Sequence, residues 1–239
     1  MDERTPESTP AAGTADAPAP GWIFAHRHFN RLLLGALAGT LGDRLYQIAA
    51  IAAVMAVFAE DPSSPIAWIT LAGVLPQLVL YPLIGKLVDS FDRRRILWGT
   101  FALKLPVIWL FVPILLQAPG PFREHWWQLL PLVFVLSLFT VAFGPARASA
   151  IPDVVPVRHI GIAASLLAVT GLFSILVGSL LGMVIAEKSG AVFERATGRA
   201  LPGEYGPVCV IVLAALLFAA ALWLLFRLPD ADKSRTPNG

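Results

Sequence analysis

Long apolar windows, broken by short polar ones, dominate this chain. Stretches of about 20 mostly apolar residues, the length that crosses a bilayer as a helix, recur near 32–58, 66–88, 96–116, 127–146, 160–186 and 206–226. The pattern predicts an all-α membrane protein with six transmembrane helices occupying residues 22–228. Residues 1–21, MDERTPESTPAAGTADAPAPG, offer little that is large and apolar to bury and read as a disordered tail. They also lack the apolar core of a cleaved signal peptide. Residues 229–239 are polar and turn-forming, a tail or the start of a linker.

Composition sharpens this picture. Of 239 residues, 56% are hydrophobic and 14% charged, with mean hydropathy +0.71, whereas a soluble domain is about 25% charged. A net charge of +2 gives no reason to expect nucleic acid as a partner, so where the charges lie matters more than their sum. The single Cys209 excludes an intrachain disulfide and a cysteine metal cluster. His26, His28, His125 and His159 fall at predicted helix ends or loops, too sparse for a metal site. No phosphate-binding loop, nucleophile elbow or other catalytic constellation is present, so the expectation is a membrane component with no cofactor or metal, not an enzyme.

Lys and Arg set the orientation. Arg27 and Arg31 precede the first span, Lys86 and Arg93 to Arg95 join the second and third, Arg147 and Arg158 join the fourth and fifth, and Arg227, Lys233 and Arg235 follow the sixth. The other side offers only Arg123, Lys188, Arg195 and Arg199. The positive-inside rule then places both termini in the cytoplasm of a cell whose inner membrane holds the protein. Trp68, Trp126 and Trp127 fall at span starts, where an aromatic interfacial belt is expected.

The loop between the second and third spans reads GKLVDSFDRRR. Its arginines would anchor the third span to lipid phosphates, but that does not account for Gly85, which permits close helix approach, or for Asp89 four residues on. The stretch resembles the cytoplasmic signature G-x-L-x-D-R-x-G-R-R of the major facilitator superfamily, with Gly85, Leu87, Asp89, Arg93 and Arg94 matching while Ser90 and Asp92 depart from it. The resemblance implies six helices built as a 3+3 inverted repeat, one half of that fold. It also implies a conformational latch formed by Asp89 and Arg93.

Polar residues inside the apolar windows mark a candidate pathway. Asp43 and Arg44 lie deep in the first span, where an ionisable group must face protein or a water-filled cavity. Thr40, Asp43 and Gln47 recur at three- and four-residue spacing on one helical face, a stripe suited to line a cavity, unless Asp43 and Arg44 serve only to neutralise each other or partners in the bundle. In the third span Lys104 sits roughly 13 Å along the helix from Arg95, either snorkelling to headgroups or turned inward toward an anionic substrate group or Asp43. In AFGPARASAIPD, Gly144 and Pro145 are expected to break the fourth helix before Arg147. Ser174, Gly178 and Gly182, four residues apart in the fifth span, form a small-residue stripe for close helix packing.

The strings LGDRLYQIA, GKLVDSF, FALKL, FGPARASAI and SILVGSLLGMVIA resemble, in order and spacing, the amino-terminal half of bacterial lysophospholipid transporters, and less tightly the enterobactin and macrolide exporters. That branch implies a lysophosphatidylethanolamine-like amphiphile as substrate, with Asp43 gating or contacting its headgroup; Arg44 and the triple arginine depart from the branch. The fifth span lacks the Pro and Gly pair of the proton-coupled drug antiporter pattern. Alternatives are a siderophore or drug efflux half, or a membrane interaction subunit that transports nothing. Expected partners are membrane lipid and a second six-helix half, whether a copy, a separate chain or a downstream fusion.

Overall fold

The computed structural model describes residues 27–58, 60–90, 92–116, 120–197 and 205–228; side chains at 81–90, 120–121 and 190–197 are outside that description, as are the two predicted tails. Helix α1 is Arg27–Val57, α2 Ser63–Ser90, α3 Arg93–Trp109, α4 Phe111–Leu115, α5 Gly120–His125, α6 Leu129–Ser149, α7 Ile151–Val154, α8 Ile160–Thr197 and α9 Gly206–Phe226. Among the described residues six segments are long and apolar enough to cross a membrane: Arg27–Val57, Ser63–Leu80, Arg93–Leu115, Phe122–Ser149, Val157–Ser189 and Gly206–Phe226. They coincide with the six windows read from the sequence.

Prolines place the breaks. Pro113 has no N–H for the Trp109 carbonyl and its ring crowds that carbonyl, so α3 stops at Trp109 and α4 resumes after Leu110. The expected break at Gly144 and Pro145 does not occur. Helix α6 runs through Pro145 to Ser149, as membrane helices often do when neighbouring groups take up the freed carbonyl. It ends only where Pro152, at the start of α7, would meet the Ala148 carbonyl. At the start of α3, Asp92 caps the helix, its Oδ1 accepting the Arg94 N–H at 3.1 Å.

Packing reveals an internal two-fold relation. Helix α1 packs along α8 and α9, α6 packs along α2 and α3, and α3 lies against α9. Exchanging the first three spans with the last three maps these contacts onto one another. Because each group has an odd number of crossings, the second enters the membrane in the opposite sense to the first, which makes the repeats inverted. The fold is therefore a six-helix 3+3 inverted repeat.

Helix α1 meets α3 and α9 along a face of glycines and meets α8 along that helix's small-residue stripe. A Cβ on Gly35 would lie 2.8 Å from Leu225, one on Gly39 would enter the Phe101 ring, and one on Gly42 would press on Phe218. On the other face the stripe on α8 meets α1, with Gly178 facing Arg44 and Gly182 facing Ile48 at 2.9 and 3.0 Å from an added Cβ. The outer surfaces differ. Helices α2 and α8 are the least covered spans and present Leu71, Leu78, Leu172, Leu176 and Leu180 exposed.

Candidate functional site

The charged residues of the first and third spans meet at the centre of the bundle. Lys104 has no exposed surface and Asp43 is 5% exposed; Lys104 Nζ donates to Asp43 Oδ1 at 2.6 Å. The Thr140 hydroxyl of α6 accepts from the same Nζ at 2.8 Å. It also lies 3.3 Å from Asp43 Oδ2 and 3.0 Å from the Leu136 carbonyl, so its one proton is shared between them. The ammonium sits 5.2 Å from the ring centre of Phe101 and 5.1 Å from that of Phe218, and a desolvated cation is attracted to such ring faces. Lys104 does not snorkel to the headgroups. Its charge is satisfied inside, where α1, α3, α6 and α9 converge.

Helical geometry explains which members of the predicted stripe accompany Asp43. At about 100° per residue, Gln47 lies about 20° to one side of Thr40 and Arg44 about 40° to the other. Asp43 lies about 60° away, at the stripe's edge, and turns toward α3 and α6. Thr40, Arg44 and Gln47 stay half-buried, and Thr40 and Arg44 turn toward α8. Thr40 Oγ1 lies 2.7 Å from Ser174 Oγ, to which it donates, while the Ser174 hydroxyl donates to the Thr170 carbonyl at 2.7 Å. Arg44 Nη1 donates to Gln47 Oε1 at 3.1 Å. Among the described residues no ion pair engages Arg44. The centre of α1 thus carries one carboxylate and, with Lys104, two cations.

A second polar layer lies one turn beyond Asp43, where Tyr46 Oη and Ser137 Oγ are 3.1 Å apart and buried. Thr140, Ser137, Phe101 and Phe218 were not singled out by the sequence. A hydroxyl or a ring in an apolar window gives no local signal; only the fold brings these side chains to the charges.

At the end where α1 and α3 begin, Arg93 Nη1 donates to the Ser149 carbonyl at 3.0 Å and pairs with Asp153 Oδ2 at 3.2 Å, tying α3 to the end of α6 and to α7. Arg94 donates to the Phe226 carbonyl at 2.7 Å. Gly85 and Asp89 fall on α2, and their side chains lie outside the described residues. Arg147 is half-buried, its guanidinium 5.8 Å from the Phe143 ring centre. No group of three or more His, Cys, Asp or Glu able to hold a metal occurs among the described residues.

Comparison with known proteins agrees with this architecture. The family model described as Major Facilitator Superfamily matches residues 32–239. The uncharacterized MFS-type transporter YfiS of Bacillus subtilis (strain 168) is 28% identical over 213 residues, 87% of this chain and 44% of the relative. The uncharacterized MFS-type transporter YkuC of the same organism is 26% identical over 222 residues, 91% of this chain and 45% of the relative. The chain spans less than half the length of these curated relatives. No solved structure matches.

Proposed function

The chain belongs to the major facilitator superfamily, and we propose that it forms one six-helix half of a transporter that carries a phosphate-bearing amphiphile by alternating access. The substrate class is a lysophospholipid of the lysophosphatidylethanolamine kind. The observation that carries this reading is Arg44, a cation at mid-membrane held by Gln47 at 3.1 Å on the face toward α8, while the neighbouring carboxylate is engaged by Lys104 at 2.6 Å. A charge at that depth calls for a compensating group, and a phosphate matches the planar donor fork of arginine.

Thr40, Arg44 and Gln47 then line the pathway, and the Asp43, Lys104 and Thr140 cluster holds α1 against α3 and α6 so that the stripe keeps its orientation. Arg93, with Asp89, would act at the cytoplasmic end as the latch between conformations. A second bundle would cover the surface formed largely by α1, α2, α6 and α8, and rocking of one bundle against the other would open the site to each side in turn. The distribution of Lys and Arg favours cytoplasmic termini.

Transport supplies the test. Reconstituted alone at less than one chain per vesicle, the protein should move no fluorescent lysophosphatidylethanolamine. Joined to a second half that restores flux, it should lose about ten- to hundred-fold on Arg44→Gln, the effect of deleting a hydrogen bond to a charged group. Robust flux from vesicles shown to hold single chains would refute the half-transporter reading, and unaltered flux in Arg44→Gln would remove Arg44 from the pathway.

A further inference from the structure

Arg147, in the last turn of α6, holds part of its charge enclosed and unanswered. Its Nη1 is buried without a hydrogen-bond partner, and among the described residues no ion pair engages the side chain. Asp153, the carboxylate nearest to it along the chain, is taken by Arg93 at 3.2 Å. Asp43 is taken by Lys104 at 2.6 Å. The guanidinium is supported by the ring of Phe143, whose centre is 5.8 Å away, and that ring packs against Phe101 at 5.0 Å between centres. A ring face attracts the cation but does not replace an acceptor oxygen, and a buried charged donor left without one is costly. An arginine that only snorkelled to the headgroups would carry its terminal nitrogens out of the protein. Nη1 stays inside.

Helical geometry turns this side chain inward. Seven residues separate Thr140 from Arg147, which at about 100° per residue returns to within about 20° of the same direction and moves about 10 Å along the helix. Thr140 faces the bundle centre, where it accepts from Lys104 at 2.8 Å. Arg147 therefore lies on the same face of α6, nearer the end where α1 and α3 begin. A helical side chain leans toward the start of its helix, and the contact with Phe143, one turn earlier, shows that Arg147 does so. On its other side the space is unfilled. A Cβ on Gly144, about 60° around the helix from Arg147, would meet nothing within 4 Å, so a gap borders the guanidinium on the way to Thr140.

We propose that Arg147 and the gap at Gly144 form a binding site for the phosphate of the transported amphiphile, at the end of the bundle where α1 and α3 begin. The site rests on the reading of Arg44 as a phosphate contact and adds a second station to that pathway. Asp43, beside Arg44, is bonded to Lys104 and Thr140, so Arg44 lies near the level of Thr140 and about 10 Å deeper than Arg147. One phosphate cannot span that distance. The headgroup would meet the two arginines in succession, each offering the planar donor fork that suits a phosphate. The gap would admit the phosphate, and the buried Nη1 would donate to it. Inorganic phosphate shares this chemistry but lacks the acyl chain, which lets the two be told apart.

Thiol protection in the purified chain tests the site where it lies. Gly144→Cys in a Cys209→Ala background places a thiol in the gap, and lysophosphatidylethanolamine should protect it from a small maleimide. Monoacylglycerol of the same acyl length, which lacks the phosphate, should not protect it, nor should inorganic phosphate. Adding Arg147→Gln should raise the lysophospholipid concentration for half-protection about ten-fold, the effect of losing a hydrogen bond to a charged group. The same change should not lower the unfolding temperature, because no protein hydrogen bond is lost. Gln47→Cys, beside Arg44, separates this site from the wider reading. Protection at position 47 but not at 144, or protection at 144 that Arg147→Gln does not weaken, overturns the site and leaves the Arg44 pathway standing; protection at neither position overturns both. A thiol at position 144 that stays unreactive without lipid would show the gap to be closed. Equal protection by monoacylglycerol would make it an acyl-chain slot, and protection by inorganic phosphate a site for soluble anions, and each of these three results overturns the proposal.

Discussion

Asp43→Asn alone should destabilise the bundle by about 3–5 kcal/mol, the cost of leaving a buried charge without its partner. The size of the effect follows from Lys104, which has no exposed surface and therefore no route to water once the carboxylate is gone. The Thr140 hydroxyl and the Phe101 and Phe218 rings would remain around the ammonium, but neither neutralises it. Lys104→Met should be similarly costly, because it strands Asp43. Replacing both, as Asp43→Leu/Lys104→Met, should recover much of the folded yield, since exchanging a buried ion pair for apolar side chains of similar volume is often neutral or stabilising. Thermal unfolding in detergent of the two single variants and the double variant measures the coupling. Additive losses, with the double variant worse than either single, would show that the pair does not act as a unit.

The second large effect is expected at Gly39. A methyl group there would occupy the space of the Phe101 ring, and Phe101 is itself fixed by Phe143 at 5.0 Å and Phe218 at 5.7 Å between ring centres. Three interlocked rings have little room to yield. Gly39→Val should therefore reach the upper end of the roughly 1–3 kcal/mol typical of overpacking, whereas Gly144→Ala, whose Cβ meets nothing within 4 Å, should change little. Shrinking the obstacle offers the internal control, for Gly39→Ala/Phe101→Leu should melt higher than Gly39→Ala. If Gly39→Val melts with the wild type, the close approach of α1 to α3 is not as described.

How much of this could be read along the chain differs between fold and site. The six crossings were legible because length and apolarity are properties of a continuous segment, and the membrane tolerates few alternatives to a helix. Helix ends were less so. Pro145 resembles Pro152 in sequence, yet only the second stops α6, because a proline's effect depends on whether neighbouring helices compensate for the lost bond. Asp43 and Lys104 stood out as charges in apolar runs, and their meeting was one of the alternatives that the sequence left open. Thr140 did not stand out, because its role arises from the crossing of α6 with α1 and α3. The glycines at 35, 39 and 42 had a signal in their spacing, which the stronger charge in the same helix obscured. Asp153, the partner of Arg93, lies 60 positions away and could not be paired without the fold.

The proposed pathway rests on the face of α1 that carries Thr40, Arg44 and Gln47 being wet when the protein is in its membrane. Thiol chemistry reports this without knowledge of the substrate, since a cysteine reacts as its thiolate and ionises far more readily in water than in hydrocarbon. In a Cys209→Ala background, Gln47→Cys and Leu216→Cys should be compared in sealed membranes with a membrane-impermeant maleimide. The cysteine at position 47 should react from one side and be blocked by lysophospholipid, while that at the lipid-facing position 216 should stay unmodified. Equal and negligible modification at both positions would contradict a water-filled pathway along α1.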